Sequence, residues 1–549
     1  MDKEISQLQF NKRSLLRTGR ERKGSRMIFK YTGCLKKIKN AGKITFFLTP
    51  TCVFFLFVLF PFVLESEPKW RSGVIRIESD VSTGKKSFDE ITREARKKGL
   101  DFITFTDQFN VKVEYGLRPF PHVFKIHKTR KSIKTYGIKK YLNQIRNLNE
   151  KYPDIALIPG ADIAPFYYWD GSLLDGTLKC RRYSEQLTLI GSASPDFYKN
   201  LPVIHNETHI FNFNSFFKFL PLIPALLGIY MIIFRKSAMR PGEETASPRI
   251  AKQRLIVGII LTLIGIFWTL NNRPFTKKYP FNQYRNYGIL PYTYLADYIS
   301  SSPEKEKVAV FWSAPGALMK YKTFGIELLT EPYWRDVKEV DGFNGFAVIY
   351  GDALKAHLPG MEWDNMLLKY ISGKRKSKPV TIGEIDYHGK KRRLDLIKTM
   401  VYTNDLTEKS IITALKRGNS YSYFQKGSLI MDLKDVYMYD PENTTKCIPG
   451  ETISGITGKF RIKLSGTVKP YTTGPVIQPK KNGKVKPATV TVVVNGQAVA
   501  SENISLESES FSIEIPVTIT EKNSTSYVRL IIDSPSTGLI VINPFFCKL

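Results

Sequence analysis

The sequence predicts an α/β protein. A distorted seven-stranded β/α barrel is interrupted by a transmembrane hairpin, preceded by an N-terminal transmembrane anchor and followed by an all-β sandwich. Three observations predict this. Short apolar runs alternate with helical patterns through two long segments. Charge-free stretches near or above bilayer length stand near the start and in mid-chain. From about Ser428 the apolar residues fall into strand-like alternation.

Residues 1–43 form a basic tail with 13 Lys/Arg against 3 Asp/Glu. Ile44 to Leu64 then runs 21 residues without a charge. The basic region is long for a signal peptide, and Val63-Leu64-Glu65 offers no small-residue cleavage site, so an uncleaved anchor is expected. Its basic flank stays in the cytoplasm by the positive-inside rule. Residues 213–234 and 255–272 are two further candidate spans. A buried core hairpin competes, since both are near the minimum spanning length. The loop between them, 235–254, carries six Lys/Arg against two Glu and contains Pro241, Gly242 and Pro248. A short basic loop between apolar spans belongs in the cytoplasm. The expectation is a multi-pass protein of the bacterial inner membrane, with 65–212 and 273–549 together on the extracytoplasmic face.

The whole chain carries 82 Lys/Arg against 50 Asp/Glu, a net charge of +32. Part of that is topological. The outer excess is densest in Lys125–Lys131 and Lys480–Lys486, which makes anionic lipid or an envelope polymer an expected partner, with a solvated basic face as the competing reading. Nucleic acid is not expected, because no recognition signature is present and the compartment is wrong. The sequence names no protein partner.

The barrel halves are expected over 73–212 and 285–427. Their candidate buried strands are Val74–Ile77, Phe102–Phe105, Ala156–Pro159, Leu187–Ile190, Val308–Trp312, Phe346–Ile349 and Val380–Gly383. Helical patterns such as Ser87–Lys98 and Lys139–Lys151 separate most of them, which argues for parallel β-structure. Ser87 with Glu90 fits a capping box, and Phe88, Ile91 and Ala95 form the apolar face. In 428–549, Phe460–Leu464, Ala488–Val494, Phe511–Val517 and Tyr527–Ile532 read as strands, and Asn495-Gly496 as a hairpin turn. The five cysteines have no zinc spacing. Cys447 and Cys547 flank the β module and are expected to pair, leaving Cys180 free.

The stretch Thr381-Ile-Gly-Glu-Ile-Asp-Tyr-His-Gly389 carries the chemistry. Asp386 and His388 follow a buried strand at i and i+2, and extended backbone would turn both to one side. A carboxylate and an imidazole converging past a strand end suit a cation. The competing reading is a loop Asp that caps amides and a surface His.

Val74-Ile-Arg-Ile-Glu-Ser-Asp and the later Phe102-Ile-Thr-Phe-Thr-Asp-Gln108 resemble the opening of the PHP (polymerase and histidinol phosphatase) family. Gly160-Ala-Asp162, Phe311-Trp-Ser-Ala-Pro315, Gly383-Glu-Ile-Asp-Tyr-His-Gly389 and Ala414–Tyr421 resemble its later elements, in order. The resemblance covers roughly 73–425. It implies a distorted seven-stranded β/α barrel and a metal site at the strand ends. Most of the family's ligands are replaced: Arg76 and Glu78 stand at His-x-His, Gln108 at the Thr-Asp-His histidine, Gln186 or Leu187 at the fourth-strand histidine, Ala314 at the His-Pro histidine and Asp162 at the third-element Glu. Asp386 and His388 match.

Arginine has no lone pair to give a metal and is an obligate cation. Arg76 is therefore expected to meet Glu78, Asp107, Asp162 and Asp386 and to neutralise them as a metal would. No cofactor is expected beyond at most one Mg²⁺, Mn²⁺ or Zn²⁺ ion on Asp386, His388, Glu78 and Asp162. The leading functional expectation is a degenerate, non-catalytic domain with a ligand-binding or scaffolding role at the envelope. The alternative is a residual metal-dependent phosphoesterase in which Arg76 grips the phosphate and Asp107 acts as base.

Overall fold

A computed structural model describes residues 67–549 apart from 209, 212, 238–245, 278, 324–325, 351, 354, 390–391, 443–444, 455–457, 472–484 and 521–524. The basic tail, the expected anchor at 44–64, the middle of the 235–254 loop and Lys480–Lys484 lie outside the described residues.

The protein is mixed α/β and is built on a fifteen-stranded sheet. Its first strands are β1 (Lys69–Ile77), β2 (Phe102–Phe105), β3 (Ala156–Ile163), β4 (Leu187–Gly191), β5 (Val308–Trp312), β6 (Gly345–Tyr350) and β7 (Val380–Glu384). β2 to β5 and β7 are buried along their whole length, as expected of apolar runs covered on both faces. β1, β2 and β3 run parallel, and so do β5, β6 and β7. β4 is the exception to the parallel expectation, being antiparallel to both β3 and β5. Only the short strands Tyr168–Asp170 and Lys179–Arg181 separate β3 from β4. Without a crossover helix the chain returns in the opposite direction.

The segment after β7 comes back to β1. Ile385 N donates to Ile75 O at 3.0 Å, Tyr387 N to Arg76 O at 3.0 Å, and Glu78 N to Tyr387 O at 2.9 Å. The ends of β1 and β7 are thereby fixed side by side.

Helix α1 (Phe88–Lys97) starts at Ser87, whose side chain and that of Glu90 close the expected capping box. Phe88, Ile91 and Ala95 face the core, as do Tyr141, Leu142 and Ile145 of α2 (Ile138–Lys151).

Two helical runs, Phe213–Ile233 and Pro248–Asn272, are long and apolar enough to cross a membrane, at 21 and 25 residues. Only 11% and 17% of their apolar windows are buried, so they are not core helices of the usual kind. α3 (Leu222–Ile233) and α4 (Pro248–Asn272) meet through small residues. A Cβ on Gly228 would stand 2.5 Å from Gly258 O, and one on Gly258 would stand 2.7 Å from Gly228 O. Backbones this close, with large apolar side chains turned outward, are the packing that helices use in lipid.

Past α5 (Glu362–Ile371) and β7, the strand β8 (Ile397–Thr403) pairs antiparallel with β1. α6 (Glu408–Arg417) ends at Gly418, whose φ of 81° only glycine adopts without strain, and leads into β9 (Ser420–Phe424). The C-terminal strands are β10 (Leu429–Tyr439), β11 (Lys459–Pro470), β12 (Ala488–Val494), β13 (Gln497–Ile504), β14 (Ser510–Thr518), β15 (Thr525–Ser534) and β16 (Gly538–Lys548). β10, β11 and β14, with Lys446–Cys447, make a separate sheet. The others extend the large sheet, because β16 pairs with β9 through Tyr421 and Ile542. The two sheets close on one core that includes Leu433, Ile462, Leu530 and Ile542. Asn495 and Gly496 turn the β12–β13 hairpin with φ of 47° and 88°.

The expected Cys447–Cys547 bridge is not formed. Both are free, buried thiols, as is Cys180. Burial in the apolar core pushes Cys447 up to about 12 and Cys547 further, so neither is a thiolate that could start exchange.

Candidate functional site

At the ends of β1, β5 and β7, three non-glycine residues take left-handed backbone: Arg76 (φ 69°), Ala314 (φ 46°) and Asp386 (φ 52°). Such outliers cost energy and persist where the surroundings over-determine them. At Arg76 the β1–β2 register slips between Val74 and Ile77, which turns its side chain into the sheet interior.

Arg76 is 3% exposed. Its Nε donates to Asp162 Oδ2 at 2.8 Å and its Nη2 to Gln186 Oε1 at 2.6 Å. Nη1 lies 3.5 Å from Asp386 Oδ1 and 3.8 Å from Glu384 Oε2, without a hydrogen bond to either. The Tyr350 ring sits 5.4 Å from its guanidinium carbon. Burial works against the charge, yet Asp162 and Asp386 hold the Arg76 pKa well above its ordinary value. Asp162 and Asp386 are the expected partners. Gln186 and Glu384 replace Glu78 and Asp107, which the structure directs elsewhere.

Asp107 is fully buried. It accepts from Ser79 N at 2.8 Å, Ser79 Oγ at 2.9 Å and Ser82 Oγ at 2.6 Å. Burial pushes it up to about 7 despite those bonds. Locked by two serines, it ties the turn after β1 and is not presented as a base.

Glu78 turns toward the mouth. Its Oε1 accepts from Gln108 Nε2 at 2.9 Å and its Oε2 from the Ser82 and Thr83 hydroxyls. His388 Nδ1 lies 3.6 Å from Glu78 Oε2 and its Nε2 3.3 Å from Asp386 Oδ1. The Asp386–His388 convergence is therefore real but arises differently than expected. The left-handed turn at Asp386, not strand alternation, brings the pair together. The hydrogen bond to Asp386 raises the pKa of His388. Burial opposes ionisation of Asp386, but Arg76 and His388 hold its carboxyl well below the usual range.

Ligand atoms of Glu78, Asp386 and His388 all lie within 4.8 Å of one another, a group that could hold one ion. Two carboxylates and an imidazole fit a single Mn²⁺, Zn²⁺ or Mg²⁺. Asp162 is not in this group, since Arg76 occupies it. A multimetal cluster does not fit, because Gln108 and Ala314 offer no imidazole and Arg76 fills the centre.

Glu384 was not singled out from the sequence, although it stands two residues before Asp386. It is fully buried, accepts from Thr188 Oγ1 at 2.6 Å and Ser313 Oγ at 3.2 Å, and is pushed by burial up to about 8. Burial likewise raises Asp162 to about 6, against the pull of Arg76. The alternation Glu384, Asp386, His388 was the available signal. The interior thus holds an excess of carboxyl groups around one arginine. Arg76 is enclosed among these groups, at 3% exposure.

No family model matches the chain, and no curated protein matches it. Among solved structures, one similar chain is a two-domain protein from Bacteroides vulgatus containing a predicted PHP-like metal-dependent phosphoesterase. It has 11% identity and a TM-score of 0.29, covering 87% of this chain and 95% of that one. Another is a Bifidobacterium adolescentis structure named as a metal-dependent phosphoesterase, with 12% identity and a TM-score of 0.26, covering 59% of this chain and 91% of that one. Both neighbours are thus named as metal-dependent phosphoesterases, the first of them PHP-like.

Proposed function

We propose that the chain is a membrane-anchored, PHP-like protein whose former multimetal site is closed by an internal cation, Arg76, and which serves the cell envelope as a non-catalytic scaffold or binding module. The observation that carries this reading is the set of Arg76 contacts with Asp162, Gln186 and Asp386. A guanidinium there supplies positive charge and directional bonds but activates no water. The ring from β1 through β7 is read as a distorted barrel, supported by the backbone bonds from 385–387 back to 75–78.

A second reading rests on Glu78, Asp386 and His388. One ion held there at the mouth would supply a polarised water, and the chain would be a one-metal phosphoesterase. In that case Glu78 and Asp386 neutralise the ion and His388 is held in orientation by Thr83, whose hydroxyl is 2.7 Å from Nδ1.

Elemental analysis of the purified full chain, with phosphatase and phosphodiesterase assays in added Mn²⁺, separates the two. The leading reading expects no stoichiometric metal and no turnover. Metal-dependent turnover that His388→Ala abolishes, with the fold intact, overturns it.

The membrane reading expects both large segments on the extracytoplasmic face. It is supported by the two sparsely buried apolar helices and by the basic loop between them. Reporter fusions after residues 150, 245 and 450 should read outside, inside and outside. A cytoplasmic reading at 450 would sink the topology.

A further inference from the structure

A cleft of about 480 Å³ shares none of its lining residues with the carboxylate site; they include Lys112, His127, Lys134, His205, Arg273 and Thr276. Its walls come from four parts of the chain, one of them the segment with His205, Glu207 and Thr208. Lys112 and Thr129 face each other across the ladder of strands Lys112–Gly116 and Lys125–Thr129. Lys134 lies in the short helix Ile133–Tyr136. Arg273 and Thr276 immediately follow the apolar α4.

The charges do not balance. Lys112 Nζ and Lys125 Nζ share Glu114, at 2.7 and 3.1 Å. Arg273 pairs with Glu207. Lys134 Nζ donates to a carbonyl, His205 O, at 2.5 Å, and among the described residues no carboxylate pairs with it. Burial and the neighbouring Lys112 lower the Lys134 pKa to about 8, as expected of an enclosed cation without a counter-ion. His205 adds no charge, since burial pushes it down to about 3 and its Nε2 meets Tyr167 OH at 2.7 Å. Among the residues that line the cleft, Lys112, Lys134 and Arg273 thus stand against one carboxylate, Glu207, while Glu114, shared by Lys112 and Lys125, lies outside the lining.

The cleft also stands where the apolar hairpin ends. Ile210 N bonds to Phe275 O and Lys277 N to Thr208 O, both at 3.0 Å, tying the two chain crossings together. Around that level Phe211, Phe213, Phe216, Phe217, Trp268 and Phe275 are each more than half exposed. Exposed aromatic rings at the end of an apolar helix pair mark the level at which lipid meets water.

We propose that this cleft binds a phosphoryl group, supplied by an anionic phospholipid headgroup or by a soluble phosphate ester. Ammonium, guanidinium and hydroxyl donors line a space with an excess of positive charge, and these are the donors that phosphoryl oxygens accept from. The cleft shares no lining residue with Glu78, Asp386 and His388. The lipid source alone rests on the hairpin crossing a membrane, which the fusions above test separately.

The test is thermal unfolding of the detergent-solubilised full chain, titrated with dioctanoyl phosphatidylglycerol or with inorganic phosphate. At least one probe should raise the Tm saturably. Lys134→Gln, which keeps a donor for the His205 carbonyl, should weaken the saturating probe about tenfold or more, as should Lys112→Gln. Lys434→Gln, on the C-terminal sheet, should leave the affinity unchanged. Saturation by phosphatidylglycerol at concentrations far below those needed for phosphate identifies the lipid source, and equal potency identifies the soluble one. The proposal is overturned when neither probe shifts the Tm, when both cleft variants bind like wild type, or when Lys434→Gln weakens binding as much as they do.

Discussion

Replacing Arg76 by alanine is expected to lower the stability of the folded protein by about 3–5 kcal/mol, more than Asp386→Asn does. Arg76 is the charge that sets Asp162 and Asp386 against a common partner inside the sheet. Removing it leaves Asp162 and Glu384 in a dry interior, facing Asp386 at its edge. Asp386 is partly open to solvent and also has His388 at 3.3 Å, so its amide loses less. The deficit should depend on pH. Burial already raises Asp162 to about 6 and Glu384 to about 8. The folded state therefore holds protons that the unfolded chain has released above its ordinary carboxylate range, and stability falls as pH rises through that window. Without Arg76 the folded pKa values climb further, so the loss should be larger at pH 8 than at pH 5. Thermal unfolding of wild type and variant at both values checks this, and an Arg76→Ala protein as stable as Asp386→Asn at pH 8 would refute it.

Arg529→Met is expected to cost a similar amount, again about 3–5 kcal/mol, by stranding Asp364. Both side chains are wholly buried. Arg529 Nε and Nη2 donate to the two oxygens of Asp364 at 2.7 and 2.6 Å, and Nη1 donates to His357 O at 2.8 Å. The guanidinium also lies 4.8 Å from the Trp363 ring. Asp364 belongs to α5 and Arg529 to β15, so the pair fastens the C-terminal strands to the helical layer. Arg529→Met combined with Asp364→Leu should recover much of the loss, because replacing a buried pair with apolar groups is often neutral while breaking it is not. A double variant no more stable than Arg529→Met alone would refute that account.

The seven strands were legible because each is a short apolar run, and the capping box of α1 because Ser87 and Glu90 stand at the required spacing. The direction of β4 was not legible, since an apolar run reads the same in either direction. The continuity of the large sheet into the C-terminal strands was hidden for a related reason. The Tyr421–Ile542 pairing joins residues more than a hundred positions apart, and no local signal records it. At the site, residue types announced Arg76, Asp386 and His388, but not the geometry. A left-handed φ at Arg76 and at Asp386 decides which carboxylates each meets, and neither residue type advertises it. A glutamate at a strand end usually faces water, and the burial of Glu384 comes from tertiary packing that its residue type does not announce.

In β1, Lys69 lies opposite Thr403 of β8. At roughly 10 residues per second, a ribosome needs on the order of half a minute to pass from one to the other. β2 can dock on one side of β1 almost at once, but the other side waits for β8 and for the segment after β7. Through most of its own synthesis the newborn chain therefore carries an open, apolar strand edge, the kind that pairs with other chains. Stalled or truncated products ending before Thr403 should accumulate as aggregates or be cleared by proteases, whereas chains extending past that residue can close the edge.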